Sequence, residues 1–127
     1  MVPKKPASVV WFTVELDGRD VPIILSTPKL TPALRGNYGV TIGEIRPTKR
    51  LTCVFLDAEE PRDVQDRTLF HELLVHGVLW ETPLVRSVLA EEKFARTQSD
   101  RAWSVLKQLG FSWPRRPAGV RNLERRA

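Results

Sequence analysis

The chain has 127 residues, of which 42% are hydrophobic and 28% charged, and its formal net charge is +5. These values predict one globular domain with one hydrophobic core and exclude a wholly disordered chain. No apolar run approaches the roughly 20 residues that span a bilayer, and no signal-like apolar stretch follows Lys4 and Lys5. The single cysteine, Cys53, cannot form an internal disulfide, so a cytoplasmic protein without a membrane partner is expected.

The first half of the chain predicts a small sheet of about four strands. Residues 8–16 and 21–25 are rich in β-branched and aromatic types and flank Asp17 and Gly18. This pattern indicates a hairpin, and the spacing of the two apolar runs predicts a loop longer than two residues. Pro22 predicts that the second strand either lies at a sheet edge or begins near this residue.

Two further strands are predicted after a turn-prone stretch at 26–37, which has one expected helical turn at 31–34. The third strand is predicted over 38–46, and a turn at 47–49 leads into the fourth strand at 50–57. Both faces of this fourth segment are apolar, which predicts a central strand.

Two long helices are predicted to follow the strands. Pro61 suits the first turn of a helix, because its missing N–H would have no helical partner there. This helix should run to about Trp80, and a second one should begin at the end of a break at 81–83. Leu109 should end the second helix, with Gly110 as a good C-terminal cap residue. Strands followed by helices predict the α+β class.

The end of the chain is strongly basic. Residues 114–127 hold five arginines and one acid, which account for +4 of the net charge. We therefore expect one domain over 1–113, with Phe111 and Trp113 folding back onto it, and a flexible basic tail over 114–127. Such a tail could contact nucleic acid through nonspecific charge, although a solvated end is the favoured interpretation. Its charged residues are Arg115, Arg116, Arg121, Glu124, Arg125 and Arg126.

Both histidines of the chain lie on the first predicted helix, in the sequence HELLVH at residues 71–76. Zinc metallopeptidases carry His-Glu-x-x-His on a helix, where the glutamate is the general base for a metal-bound water. The segment 68–77, TLFHELLVHG, resembles the active helix of small zincin-like metallopeptidases, including short peptidases of phages and bacteria. The resemblance extends over roughly residues 38–110, because strands precede this helix in that family and a helix with acidic residues follows it.

The resemblance implies a zinc-dependent protein that hydrolyses peptide bonds. His71 and His76 would be metal ligands, Glu72 the general base, and an acid of the second helix the third ligand. Glu92 lies in a stripe of small and apolar residues on that helix and is the predicted third ligand, with Glu91 as the alternative.

The spacing of the two histidines departs from the family motif, because Val75 occupies the place of the second histidine and His76 follows it. In a regular helix, His71 and His76 would point roughly 140° apart. Three interpretations remain open. A π-bulge within 71–76 brings both histidines to one side; a regular helix leaves Glu72 and His76 on one face without His71; or no metal binds.

The leading hypothesis is therefore a zincin-like metallopeptidase acting on a peptide or protein, with the predicted strand 38–46 as an edge that aligns an extended peptide. The alternative is a catalytically degenerate module without metal, serving as an interaction or regulatory protein that contacts a protein or nucleic acid. Cys53 is predicted to be a small core residue rather than a nucleophile.

Overall fold

The computed structural model describes residues 7–44, 50–78 and 88–124. It has the predicted α+β class: a four-stranded mixed sheet with the strand order β1-β2-β4-β3, followed by two long helical segments. The β1-β2 and β3-β4 pairs are antiparallel, and β2 and β4 run parallel. The strands are β1 (Val9–Leu16), β2 (Arg19–Ser26), β3 (Gly39–Glu44) and β4 (Arg50–Asp57).

The hairpin between β1 and β2 is tighter than the sequence predicts. Its loop consists of Asp17 and Gly18 alone, with φ values of 51° and 77°. Two successive residues with positive φ are what a two-residue hairpin turn of type I′ requires. The prediction of a longer loop is wrong because pairing extends beyond the apolar residues to the pair Leu16 and Arg19.

The positions predicted for the third and fourth strands are confirmed. β4 lies between β2 and β3, as its two apolar faces predict, and β3 lies at the sheet edge. β2 is an inner strand, so the edge position allowed for Pro22 is not found. Pro22 instead lies in the first half of β2, just before Ile23, where pairing with β4 begins.

The first helical segment has two parts with different backbone geometry. An α-helix, α1 (Arg62–Leu69), continues without a break into a π-helix over Phe70–Val78. The predicted helix is thus present as far as Val78, and Trp80 lies outside the described residues. The second helix, α2, spans Val88–Gln108, and Gly110 has the positive φ of 87° expected beyond a helix end.

The start predicted for α2, the break at 81–83 and the turn at 47–49 all lie outside the described residues. A 3-10 turn at Pro32–Leu34 occupies the place where one helical turn is predicted. Within the described segments, no helix is both long and apolar enough to cross a bilayer.

The main core lies between the sheet and α1, and it also includes the start of the π-helix. Side chains from β1, β2 and β4 pack there against Leu69 and Leu73. A second, smaller cluster of Phe70, Val75 and Trp103 joins the π-helix to α2. Burial of these apolar groups is the main favourable term in folding and fixes the π-helix between the sheet and α2.

The C-terminal segment belongs to the packed body, which corrects the domain boundary predicted at residue 113. Val120 and Leu123 are 4% and 3% exposed and are part of the main core. The Trp11 indole donates a hydrogen bond of 2.9 Å to the Pro114 carbonyl. The prediction of a tail rests on the arginines and does not take account of these two apolar residues. A 3-10 turn at Val120–Asn122 directs both side chains inward. Trp113 folds back as predicted, and its indole donates to the Asp66 carbonyl at 2.9 Å.

Candidate metal centre

Two glycines allow the helical segment to lie unusually close to the sheet. A Cβ atom on Gly77 would lie 2.8 Å from Leu51 Cδ2 and 3.2 Å from the Glu72 carbonyl oxygen. A Cβ atom on Gly39 of β3 would lie 2.7 Å from Thr68 Cγ2. Contacts below about 3 Å are far inside the van der Waals separation. A side chain at either position would displace Leu51 or Thr68, so glycine allows the π-helix to pack closely on β4 and β3 to pack closely on α1.

The π-helix brings the two histidines together. Hydrogen bonds in this geometry join residues five apart, so His71 and His76 lie one above the other. Their Nε2 atoms are 2.9 Å apart, with the ring centroids 4.6 Å apart and the ring planes at 69°. Two neutral imidazoles make this contact when one donates its Nε2 proton to the other. The geometry is that of the π-bulge interpretation, and the splayed arrangement of a regular helix is not found.

Glu72 completes a cluster of three potential ligands. One ligand atom each from His71, Glu72 and His76 lies within 4.8 Å of the others, and all three residues are half-buried. The cluster could hold a metal ion, and its partial exposure leaves an approach from solvent.

Thr41 of the edge strand β3 connects the cluster to the sheet. Its hydroxyl Oγ1 lies 2.9 Å from the Glu72 carbonyl oxygen and also makes a short hydrogen bond with Glu72 Oε2. The carboxylate of Glu72 is thus held from the sheet while its backbone is held by the π-helix. This double attachment orients the carboxylate relative to the two imidazoles.

The donor set fits zinc in both chemistry and scale. Two imidazole nitrogens and a carboxylate are ligands that zinc commonly takes in proteins. In a tetrahedral site with Zn–N bonds of about 2.1 Å, two nitrogens lie about 3.4 Å apart. The observed 2.9 Å between the Nε2 atoms would widen by only about 0.5 Å to reach this value.

The third ligand expected from the sequence remains a prediction. Glu92 and its alternative Glu91 lie within α2, but their side chains are outside the described part of the molecule. The helix that carries them does pack on the π-helix, where Trp103 meets Phe70 with ring centroids 5.9 Å apart. The helix expected to carry the third ligand therefore packs against the π-helix.

Sequence patterns did not identify three residues that hold the helical segment against the sheet. Thr41 stands in an ordinary strand, and nothing in its surroundings indicates a partner 31 positions further on. Gly39 and Gly77 are significant only because of what packs against them in three dimensions. The one available signal was Gly77 itself, a residue that disfavours a regular helix and directly follows His76.

Cys53 is buried on β4, as predicted for a core residue. Burial raises the pKa of its thiol, because removal from water disfavours the thiolate. A neutral, buried thiol is a poor nucleophile, so Cys53 offers no second chemical centre.

Comparison of the chain with models of protein families, with curated proteins and with solved structures found no match. What the cluster does must therefore be inferred from its own geometry.

Proposed function

We propose that this protein is a small zincin-like hydrolase that binds zinc through His71 and His76 and cleaves peptide bonds. The observation that supports this proposal most directly is the 2.9 Å separation of the two Nε2 atoms across a π-helix. π-Helical turns are rare and are often found at functional sites. Here the two histidines are one residue further apart than in His-Glu-x-x-His. The π-helix accommodates the extra residue and brings the two imidazoles together.

Each residue of the cluster has a distinct proposed role. His71 and His76 bind the ion, and Glu92 of α2 is the proposed third ligand. Bound zinc would lower the pKa of a coordinated water and supply a nucleophile near neutral pH. Glu72 would accept a proton from the attacking water as general base, and the hydroxyl of Thr41 holds its carboxylate in place.

The edge strand supports a peptide as the substrate class. β3 pairs with β4 on one side, and its other side has no strand partner among the described residues. An extended peptide could add to this free edge by main-chain hydrogen bonds. Thr41 lies in the same strand and contacts Glu72, so a peptide paired with β3 would lie beside the candidate centre.

The first experiment measures metal content. Protein dialysed against buffered zinc should retain one zinc ion per chain by elemental analysis, and His71→Ala should retain none. Arg67→Ala, an exposed change on the preceding α-helix, is the matched control and should bind zinc as the parent does. Parent protein without stoichiometric zinc would contradict the proposal and favour the alternative, a metal-free interaction module.

The second experiment tests hydrolysis. With a library of quenched fluorogenic peptides, Glu72→Gln should lower kcat by about 10²–10⁴-fold, the usual contribution of a general base, while zinc stays bound. Glu15→Gln, which removes an exposed carboxylate from β1, should leave the rate unchanged. If Glu72→Gln abolishes zinc binding instead, Glu72 is a ligand and the role given to it here is wrong.

A further inference from the structure

Four arginines converge on one cleft at the C-terminal end of the described chain. The cleft has a volume of about 540 Å³ and lies between the segment 115–122 and the start of α1. No acidic residue lines it among the residues that the structure describes. The arginines that line it are Arg62, Arg115, Arg116 and Arg121.

The fold holds these arginines in place. Val120 is buried in the main core, and Gly119 before it takes a left-handed φ of 91° that turns the chain. Arg116 forms an ion pair of 2.7 Å with Asp66, and its guanidinium lies 4.3 Å from the ring centroid of Trp11. A solvated tail would make none of these contacts. The segment is therefore packed on the domain, and Arg115 on it is exposed to solvent.

Two of the four arginines are paired with acids within the molecule, and the other two are exposed. Glu59, Glu60 and Glu124 line a different cavity of about 380 Å³, which shares only Arg62 with the arginine cleft. Arg62 is exposed and is paired with Glu124 at 2.6 Å. Arg115 and Arg121 are exposed and make no ion pair within the described residues, so their charge is available to an external anion.

We infer that this arginine cleft binds the phosphate backbone of double-stranded nucleic acid without reading its sequence. Arginine presents a planar fork of donors that matches phosphate geometry, and it stays charged at any physiological pH. Single-stranded nucleic acid is usually held by bases stacked on exposed aromatic rings. No aromatic side chain lines the cleft among the described residues, which favours the backbone of a duplex.

The test is a fluorescence anisotropy titration of a labelled 20-base-pair duplex of mixed sequence over a series of salt concentrations. The parent protein should bind with an affinity that falls steeply with salt. For each phosphate neutralised, the logarithm of the binding constant should fall by about 0.9 for every tenfold rise in salt concentration. Arg115→Gln/Arg121→Gln should reduce that salt slope by about two and weaken binding at least about tenfold at low salt. Arg35→Gln/Arg101→Gln removes the same charge from exposed sites that do not line the cleft and should keep the parent's slope.

Four results would overturn the inference: no duplex binding at low salt, an equal loss in both double variants, tighter binding of a single strand, or equal binding of polyglutamate. The last would assign an acidic protein as the partner. The outcome is separable from that of the metal centre, because His71→Ala/His76→Ala should bind the duplex as the parent does, with or without chelator.

Discussion

The first helical segment has two halves, α1 and the π-helix, whose polar groups make different contacts. In α1, polar groups form hydrogen bonds with segments outside the helix. The Gln65 amide donates to the Glu60 carbonyl at 2.7 Å, and the Asp66 carbonyl accepts from the Trp113 indole. In the π-helix, the polar side chains of His71 and His76 turn toward each other instead. The first half thus anchors the segment, and the second half assembles the candidate centre.

The difference shows what the irregular backbone contributes. A regular helix through residues 70–78 would preserve the packing pattern of α1 but would separate the two imidazoles. The π-helix places them in contact and keeps Leu73 and Val75 buried at 4% and 6% exposure. The centre therefore depends on packing that stabilises this geometry, and variants in each half should separate stability from metal binding.

The largest expected effect on stability is in the regular half. Leu69 is fully buried, so Leu69→Ala should lower the free energy of unfolding by about 2–5 kcal/mol. Leu74→Ala makes the same chemical change in the π-helix, where the side chain is 36% exposed, and should cost about 1 kcal/mol or less. Urea unfolding followed by circular dichroism measures both values. Equal losses would show that the two halves are not packed as described.

A substitution of Gly77 should lower stability less than Leu69→Ala does, and it should also lower the affinity for zinc. Gly77→Ala forces a Cβ against the buried Leu51 and should cost about 1–3 kcal/mol, as overpacking commonly does. Because the strain falls on the π-helix, zinc affinity should drop as well. Gly39→Ala is the comparison variant: it creates a similar clash with Thr68 on α1 and should lower stability with less effect on zinc. Zinc competition titration of both variants distinguishes the two cases, and equal zinc losses would contradict the special role of Gly77.

The smallest effect is expected at Thr41, which joins the π-helix to β3. Thr41→Val keeps the shape and removes the hydroxyl that contacts Glu72, so unfolding should become easier by about 1 kcal/mol. Thr41→Ser keeps the hydroxyl and should recover most of that loss. Chemical unfolding of the two variants provides the check, and identical curves for Val and Ser would show that the hydrogen bonds are not formed in solution.

Much of the fold could be predicted because local patterns and tertiary packing agree. The two apolar faces of residues 50–57 predict a central strand, and the neighbours of β4 on both sides explain that pattern. The hairpin loop was misjudged because apolar residues mark the core, whereas pairing continues through polar residues such as Asp20. The C-terminal segment was misjudged because Val120 and Leu123 are sparse among arginines, and their burial depends on tertiary packing that the sequence does not show.

The candidate site could be predicted only in part. The identities of His71, Glu72 and His76 were evident from the sequence, but their convergence required a backbone geometry that the spacing only allowed. The contributions of Thr41 and Gly77 come from contacts between distant parts of the chain, and the one local signal is that glycine at position 77 disfavours a regular helix.

The central claim, that both histidines bind one ion, can be tested most directly by nuclear magnetic resonance of the imidazole rings. The chain contains only two histidines, so untagged, ¹⁵N-labelled protein gives the ring signals of His71 and His76 alone, and His71→Ala assigns them. On titration with zinc, the Nε2 resonances of both rings should shift together and reach saturation at one equivalent per chain. A shift of only one ring, separate saturation of the two rings, or no shift would contradict a shared metal centre.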